Sequence, residues 1–167
     1  MKTISKAAAL GLLLTVATVG GAAWAQTPPA AAGPVWSRQC VKSPQGTDVC
    51  FLQQFVIAMP QKKALLKAVF SYLGPKGAPR LELTAPLGIM LQPGLTLAID
   101  GHAPFTVPLA LCQTGGCETV IDLDQQALNQ FRYGKVAVVR YVTEDRKALD
   151  LPLRLDGLAD ALKSISP

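Results

Sequence analysis

Four cysteines stand in two close couples, Cys40 with Cys50 and Cys112 with Cys117. Each couple brackets residues that favour a turn. "VKSPQGTDV" lies between the first pair, with Ser43-Pro44 and Gly46 as turn formers, and "QTGG" lies between the second. An even cysteine count in an oxidising compartment marks disulfides. Three pairings are open, and local pairing is the simplest, because cysteines facing each other across an antiparallel pair come within bridging distance. Local bridges close short loops, so the chain-entropy account gives roughly 3 kcal/mol for the longer loop and about 2 for the shorter. Two rival uses of the sulfurs fit less well. Zinc takes four ligands, and the paired CxxC knuckles of common sites are absent. A thioredoxin-like couple needs CxxC opening a helix, whereas here four residues with two glycines intervene.

The compartment is written at the N-terminus. Lys2 and Lys6 precede an almost wholly apolar run from Ala7 to Ala23, and Ala23-Trp24-Ala25 supplies small residues at both ends of a cleavage triplet. That order is a secretory signal peptide over residues 1–25. The run is short for a membrane span, and no stop-transfer flank follows. Residues 26–34, "QTPPAAAGP", have nothing to bury and read as a disordered leader. A single domain is expected over residues 35–165. Cleavage removes two of the sixteen basic residues and none of the eleven acidic ones, which leaves a net charge of +3 in place of +5. Mild basicity without an Arg/Lys tract, in an exported chain, disfavours nucleic acid. No second segment is long enough to hold the mature chain in a bilayer.

Downstream, strand-length segments alternate with Pro/Gly punctuation. They are "DVCFLQQFVI" (48–57), "RLELTA" (80–85), "KVAVVRYVT" (135–143) and "ALDLPLRL" (148–155), the last two forming a hairpin. "LTLAIDGHAPFTVPLAL" reads as another hairpin turning at Asp100-Gly101. Pro108 and Pro152 mark edges or bulges. "KKALLKAVFSYL" (62–73) is a fork. A helix gathers Leu65, Leu66, Val69, Phe70 and Leu73, a strand gathers Leu66, Ala68, Phe70 and Tyr72, and periodicity slightly favours the helix. Asp122 or Asp124 is placed to cap a helix over "QQALNQFRYG", and Asp156 to cap one over "GLADALKSI". The class is mainly β: a β-sandwich or partly closed barrel with one or two short helices and local disulfides.

Catalytic candidates are few. GxSxG, HExxH and phosphate-loop motifs are absent. Asp100 and His102 flank a turn but lack an accompanying nucleophile. Asp122 and Asp124 would share a face on a strand as paired carboxylates, and helix capping is their plainer use. Lys62, Lys63, Lys67, Arg146 and Lys147 read as solvated faces or turns. Trp36 reads as an aromatic stacked near the first cysteine couple.

Trp36 and Cys40 followed by Cys50 and "FLQQ" resemble the opening of the invasion-associated locus B proteins. The likeness continues through "APLGIMLQPGLTLAIDG", "PFTVPLALCQTGGCETV" and "GKVAVVRYVTEDRKALDLPLRLDGLADAL". The resemblance implies an exported, β-rich protein of Gram-negative bacteria and tips the 62–73 fork toward a strand. It implies a role in host-cell entry for some pathogenic members. It carries over no catalytic residue and no cofactor, only Cys40, Cys50, Cys112 and Cys117 as framework. The expected function is therefore a non-enzymatic envelope protein that binds an envelope or cell-surface partner. Its expected location is the periplasm, the outer membrane or the medium. The alternatives are a periplasmic metal-handling protein, or an envelope enzyme using Asp100/His102 or Asp122/Asp124.

Overall fold

A computed structural model describes residues 35–166. The expected signal peptide (1–25) and leader (26–34) lie outside the described residues. Among the described residues, ten strands form two antiparallel sheets. The larger sheet contains β1 (Ser37–Lys42), β2 (Asp48–Ala58), β3 (Lys63–Ser71), β4 (Arg80–Ala85), β7 (Leu111–Gln113) and β8 (Gly116–Asp122), in the order β1-β2-β3-β4-β8-β7. The smaller contains β5 (Leu95–Ile99), β6 (Phe105–Val107), β9 (Val136–Val142) and β10 (Ala148–Arg154), in the order β10-β9-β5-β6. Both sheets end in free edges, so the arrangement is sandwich-like and the partly closed barrel is set aside.

Alternation decides which face each strand buries. Leu52 of β2, Leu66, Ala68 and Phe70 of β3, and Leu81 and Leu83 of β4 point into the core. They meet Leu95, Leu97 and Ile99 of β5, Val139 and Tyr141 of β9, and Leu151 and Leu153 of β10. Each fully buried Leu or Phe contributes about 1.5–3 kcal/mol of transfer free energy. The 62–73 segment is the strand, and Leu66, Ala68 and Phe70 are buried as the strand alternative has them. The helical face fails because Val69 belongs to the opposite side of the sheet, and Leu65 reaches the core only as the extra residue of a bulge.

Proline and turn chemistry fall where they should. Pro152 lies on β10, an edge strand, and Pro108 follows β6, the other edge. The connection from β5 to β6 opens with a tight turn, closed by the His102 amide donating to the Ile99 carbonyl at 2.8 Å, with positive φ at both Asp100 (45°) and Gly101 (76°). Helix α1 (Gln125–Tyr133) is capped by Asp124, whose carboxylate accepts from the Ala127 amide at 2.7 Å. It sends Leu128 and Phe131 inward. Phe131 stands edge-on to Phe70, and Phe70 edge-on to Trp36, each at 5.3 Å between ring centroids. Trp36 thus packs on Phe70 in the core, a correction to its expected place beside the disulfide. Helix α2 (Leu158–Lys163) also departs from expectation. Its N-cap is Gly157 with φ 73°, and Asp156 turns away to pair with Arg154 at 3.0 Å. The left-handed turn at Gly157 starts the helix without a side-chain acceptor.

Two contacts tie the sheets together at polar points. The buried amide of Gln54 donates to the Arg154 carbonyl at 2.8 Å and accepts from the Arg154 amide at 3.0 Å. The Trp36 indole donates to the same carbonyl at 3.0 Å. Farther along, the Tyr141 hydroxyl donates to the Leu65 carbonyl at 3.3 Å, and burial raises the pKa of that phenol above its ordinary value.

A groove on the outer face of the large sheet

The same alternation that fills the core exposes a second face. Thr84, Glu82 and Arg80 of β4 point outward, and the β3 register sets Lys67, Val69 and Ser71 opposite them. On β2, Gln53 and Phe55 pair with Val69 and Lys67, and on β1, Val41 pairs with Val49. Val41, Val49, Phe51, Val69 and Leu73 therefore wall a groove of about 210 Å³, with Lys67 and Glu82 among its lining residues. Ser71 also lines it and is only 1% exposed, yet its hydroxyl has no hydrogen-bond partner among the described residues. A buried hydroxyl without a partner is costly. Neither Lys67 nor Glu82 belongs to an ion pair among the described residues. Apolar exposure continues on the same face at Phe55, Val120 and Leu111. Sequence reasoning missed this groove. Its one signal was the excess of apolar residues in 62–73, too many for a single buried face.

The candidates read from the sequence take other places. Cys40 is bonded to Cys50 and Cys112 to Cys117, each pair directly opposite across antiparallel strands, with Cα atoms 4.0 and 3.9 Å apart. Among the described residues no cysteine is free. No cluster of three or more His, Cys, Asp or Glu is placed there to hold a metal ion. The metal-handling alternative needed those sulfurs as thiolates, and they are in covalent bonds.

Asp100 and His102 do border one open cleft of about 660 Å³, opposite Gln125, Asn129 and Tyr133 of α1. The Asp100 carboxylate, however, is committed to the backbone. It accepts from the amides of Val136 at 2.9 Å and Lys135 at 2.8 Å, and those bonds hold it below the usual carboxylate range. A carboxylate held this way is a weak base, and no serine, threonine or cysteine lines the cleft. Asp122 and Asp124 border one shallow hollow of about 290 Å³. Asp122 is paired with Arg80 at 2.7 Å, and Asp124 caps α1. The structure thus brings each pair close and gives three of its four members a structural task. Lys62 and Arg146 occupy left-handed positions in turns, and Lys147 pairs with Asp145. No helix among the described residues is long and apolar enough to cross a membrane.

Comparison with known proteins agrees with this architecture. A crystal structure described as invasion associated protein b from Bartonella henselae superposes with a TM-score of 0.69 at 24% identity, covering 78% of this chain and 90% of that one. At that identity the likeness speaks for the fold. No curated protein matches the chain. Residues 36–166 match the profile of the family described as invasion associated locus B (IalB) protein. That match takes in both sheets, both helices and both disulfides, and the chain belongs to the invasion associated locus B family.

Proposed function

We propose that this is an exported, non-enzymatic binding protein whose recognition surface is the outer face of the large sheet. The observation that carries the reading is the groove around Ser71. Apolar walls, a buried hydroxyl without a partner and two unpaired opposite charges are what a surface has when its complement is another molecule. The partner is an extended segment of a protein. Apolar side chains fill the space between Val41, Phe51 and Val69. Opposite charges engage Lys67 and Glu82. Export rests on the N-terminal charge and hydropathy pattern and on the family. The solved Bartonella protein is described as invasion associated, and by extension the partner sits in the bacterial envelope or on a contacted cell.

Site-specific photo-crosslinking tests the reading. A crosslinker at position 69 in the full chain, presented to intact envelopes or cells, should give one saturable adduct. Val69→Asp should weaken that binding at least ~10-fold, the scale of losing a central interface residue. Val138→Asp, on the outer face of the small sheet, should leave it unchanged. Equal effects of the two substitutions would reject the groove as the binding face.

A further inference from the structure

The two disulfides stand in opposite chemical settings. At Cys40–Cys50, the Arg38 guanidinium donates to the Cys50 sulfur at 3.1 Å. Arg38 and Cys40 lie two residues apart on β1, on one face of the sheet's edge strand, and both are exposed. Among the described residues no strand lies beyond them, so an approaching sulfur has a free path to Cys40. A hollow of about 300 Å³ opens beside the bridge, lined by Arg38, Cys50, Tyr72 and Ile165. Asp48 borders the same hollow, and its charge is met by Lys42 at 2.9 Å. Cys112 also lies on an edge strand, β7, but its bridge differs at the second sulfur. Cys112 is exposed, Cys117 is 2% exposed, and among the described residues no cation bonds to either sulfur.

Exchange requires a thiolate to attack one sulfur in line while the other leaves with the bonding pair, and a cation beside the leaving sulfur favours that departure. We propose that Cys40–Cys50 is a site of reversible thiol–disulfide exchange with a dithiol, with Cys40 attacked and Cys50 leaving toward Arg38. In the first step the dithiol's thiolate bonds to the Cys40 sulfur. The Cys40–Cys50 bond breaks, and its electron pair stays on Cys50 as a thiolate facing the guanidinium. In the second step the dithiol's other thiolate attacks its own sulfur in the mixed disulfide and expels the Cys40 thiolate, which takes a proton from water. The dithiol ends as a cyclic disulfide, two electrons having passed to the protein, and its two protons go to solvent. Oxidation runs the same steps backward. Attack on Cys112 would instead expel a thiolate at buried Cys117 with no cation to receive it, so that bridge stays closed.

Dithiothreitol is a suitable probe on the full oxidised chain at neutral pH without denaturant. Thiols trapped by alkylation and located by mass spectrometry should appear at Cys40 and Cys50 at least ~10-fold faster than at Cys112 and Cys117. Arg38→Gln should slow the first bridge about 3- to 10-fold and leave the second unchanged. Glutathione, a monothiol that cannot complete the second step, should be trapped on Cys40. An unchanged urea midpoint and Trp36 fluorescence for Arg38→Gln keep loss of fold out of the comparison. Equal rates at the two bridges, indifference to Arg38→Gln, or glutathione on Cys50 would each overturn the proposal.

Discussion

Gln54 serves Arg154 as a substitute neighbouring strand: one side-chain amide satisfies both the carbonyl, at 2.8 Å, and the amide, at 3.0 Å, of that residue. β10 is an edge strand, so the outward backbone groups at its end need partners from elsewhere. A glutamine from the opposite sheet supplies them across the core, one hundred residues away in sequence. With the Trp36 indole on the same carbonyl, the sandwich is therefore joined at this end by three directional bonds as well as by apolar contact.

Truncating Gln54 leaves a largely buried donor without an acceptor and a carbonyl held by the Trp36 indole alone. Gln54→Ala should lower the unfolding free energy by about 2–4 kcal/mol, combining lost bonds with the vacated volume. Urea titration monitored by Trp36 fluorescence measures it. A loss within ~0.5 kcal/mol, the range of ordinary surface changes, would mean the amide does not join the sheets.

Gly116 and Gly115 offer a contrast within one turn. A β-carbon at Gly116 would lie 2.3 Å from the Ala85 carbonyl oxygen and 2.9 Å from the Thr84 methyl, at a φ of +136° that side chains rarely adopt. At Gly115 nothing lies within 4 Å. Gly116→Ala should cost about 2 kcal/mol or more, whereas Gly115→Ala should stay within ~0.5 kcal/mol. Thermal melts of the two variants separate them.

Asp100 gives the fold an acid-sensitive joint. The Val136 and Lys135 amides hold its folded pKa below the usual carboxylate value. Its contribution is therefore complete above that value and is lost as pH falls below it through the folded value. Asp100→Asn should be less stable than the parent at pH 7, and the difference should shrink below about pH 4. A gap that stays constant between pH 7 and pH 3 in urea melts would contradict the assignment.

Each disulfide can be removed as a Ser/Ser pair. The loop-entropy account predicts a loss of roughly 3 kcal/mol for Cys40/Cys50 and about 2 for Cys112/Cys117. Denaturation midpoints for the two double variants test both the magnitudes and their order.

The parts of this fold legible in the sequence share one property: their signal is local. The alternation of 80–85, the Asp100-Gly101 turn, the Asp124 cap and the turn-bracketing cysteines each depend on a handful of neighbouring residues. The 62–73 segment was ambiguous for a physical reason. A strand with one buried face should alternate, but here Val69 is apolar on the outer side and Leu65, the extra residue of a bulge, packs against the core, and the surplus imitates a helical stripe. Val69 is also a groove wall, so the ambiguity and the candidate site share that residue. The groove itself was invisible because strand register assembles it: Val41 meets Val49 across the β1–β2 pair and Val69 meets Glu82 across the β3–β4 pair, and the two come together only once β2 is paired with β3. Asp156 misled because capping potential was read without its competitor, the neighbouring Arg154.

The strand order also dictates what a piece of this chain can do. β4 waits for β8, and β5 waits for β9, so neither sheet is finished by a contiguous stretch. A fragment stopping before residue 136 would expose one whole flank of β5 and the inner surface of the large sheet. The last hairpin, β9 with β10, therefore closes the small sheet over the core, and pairings this distant in sequence are the slow ones to form.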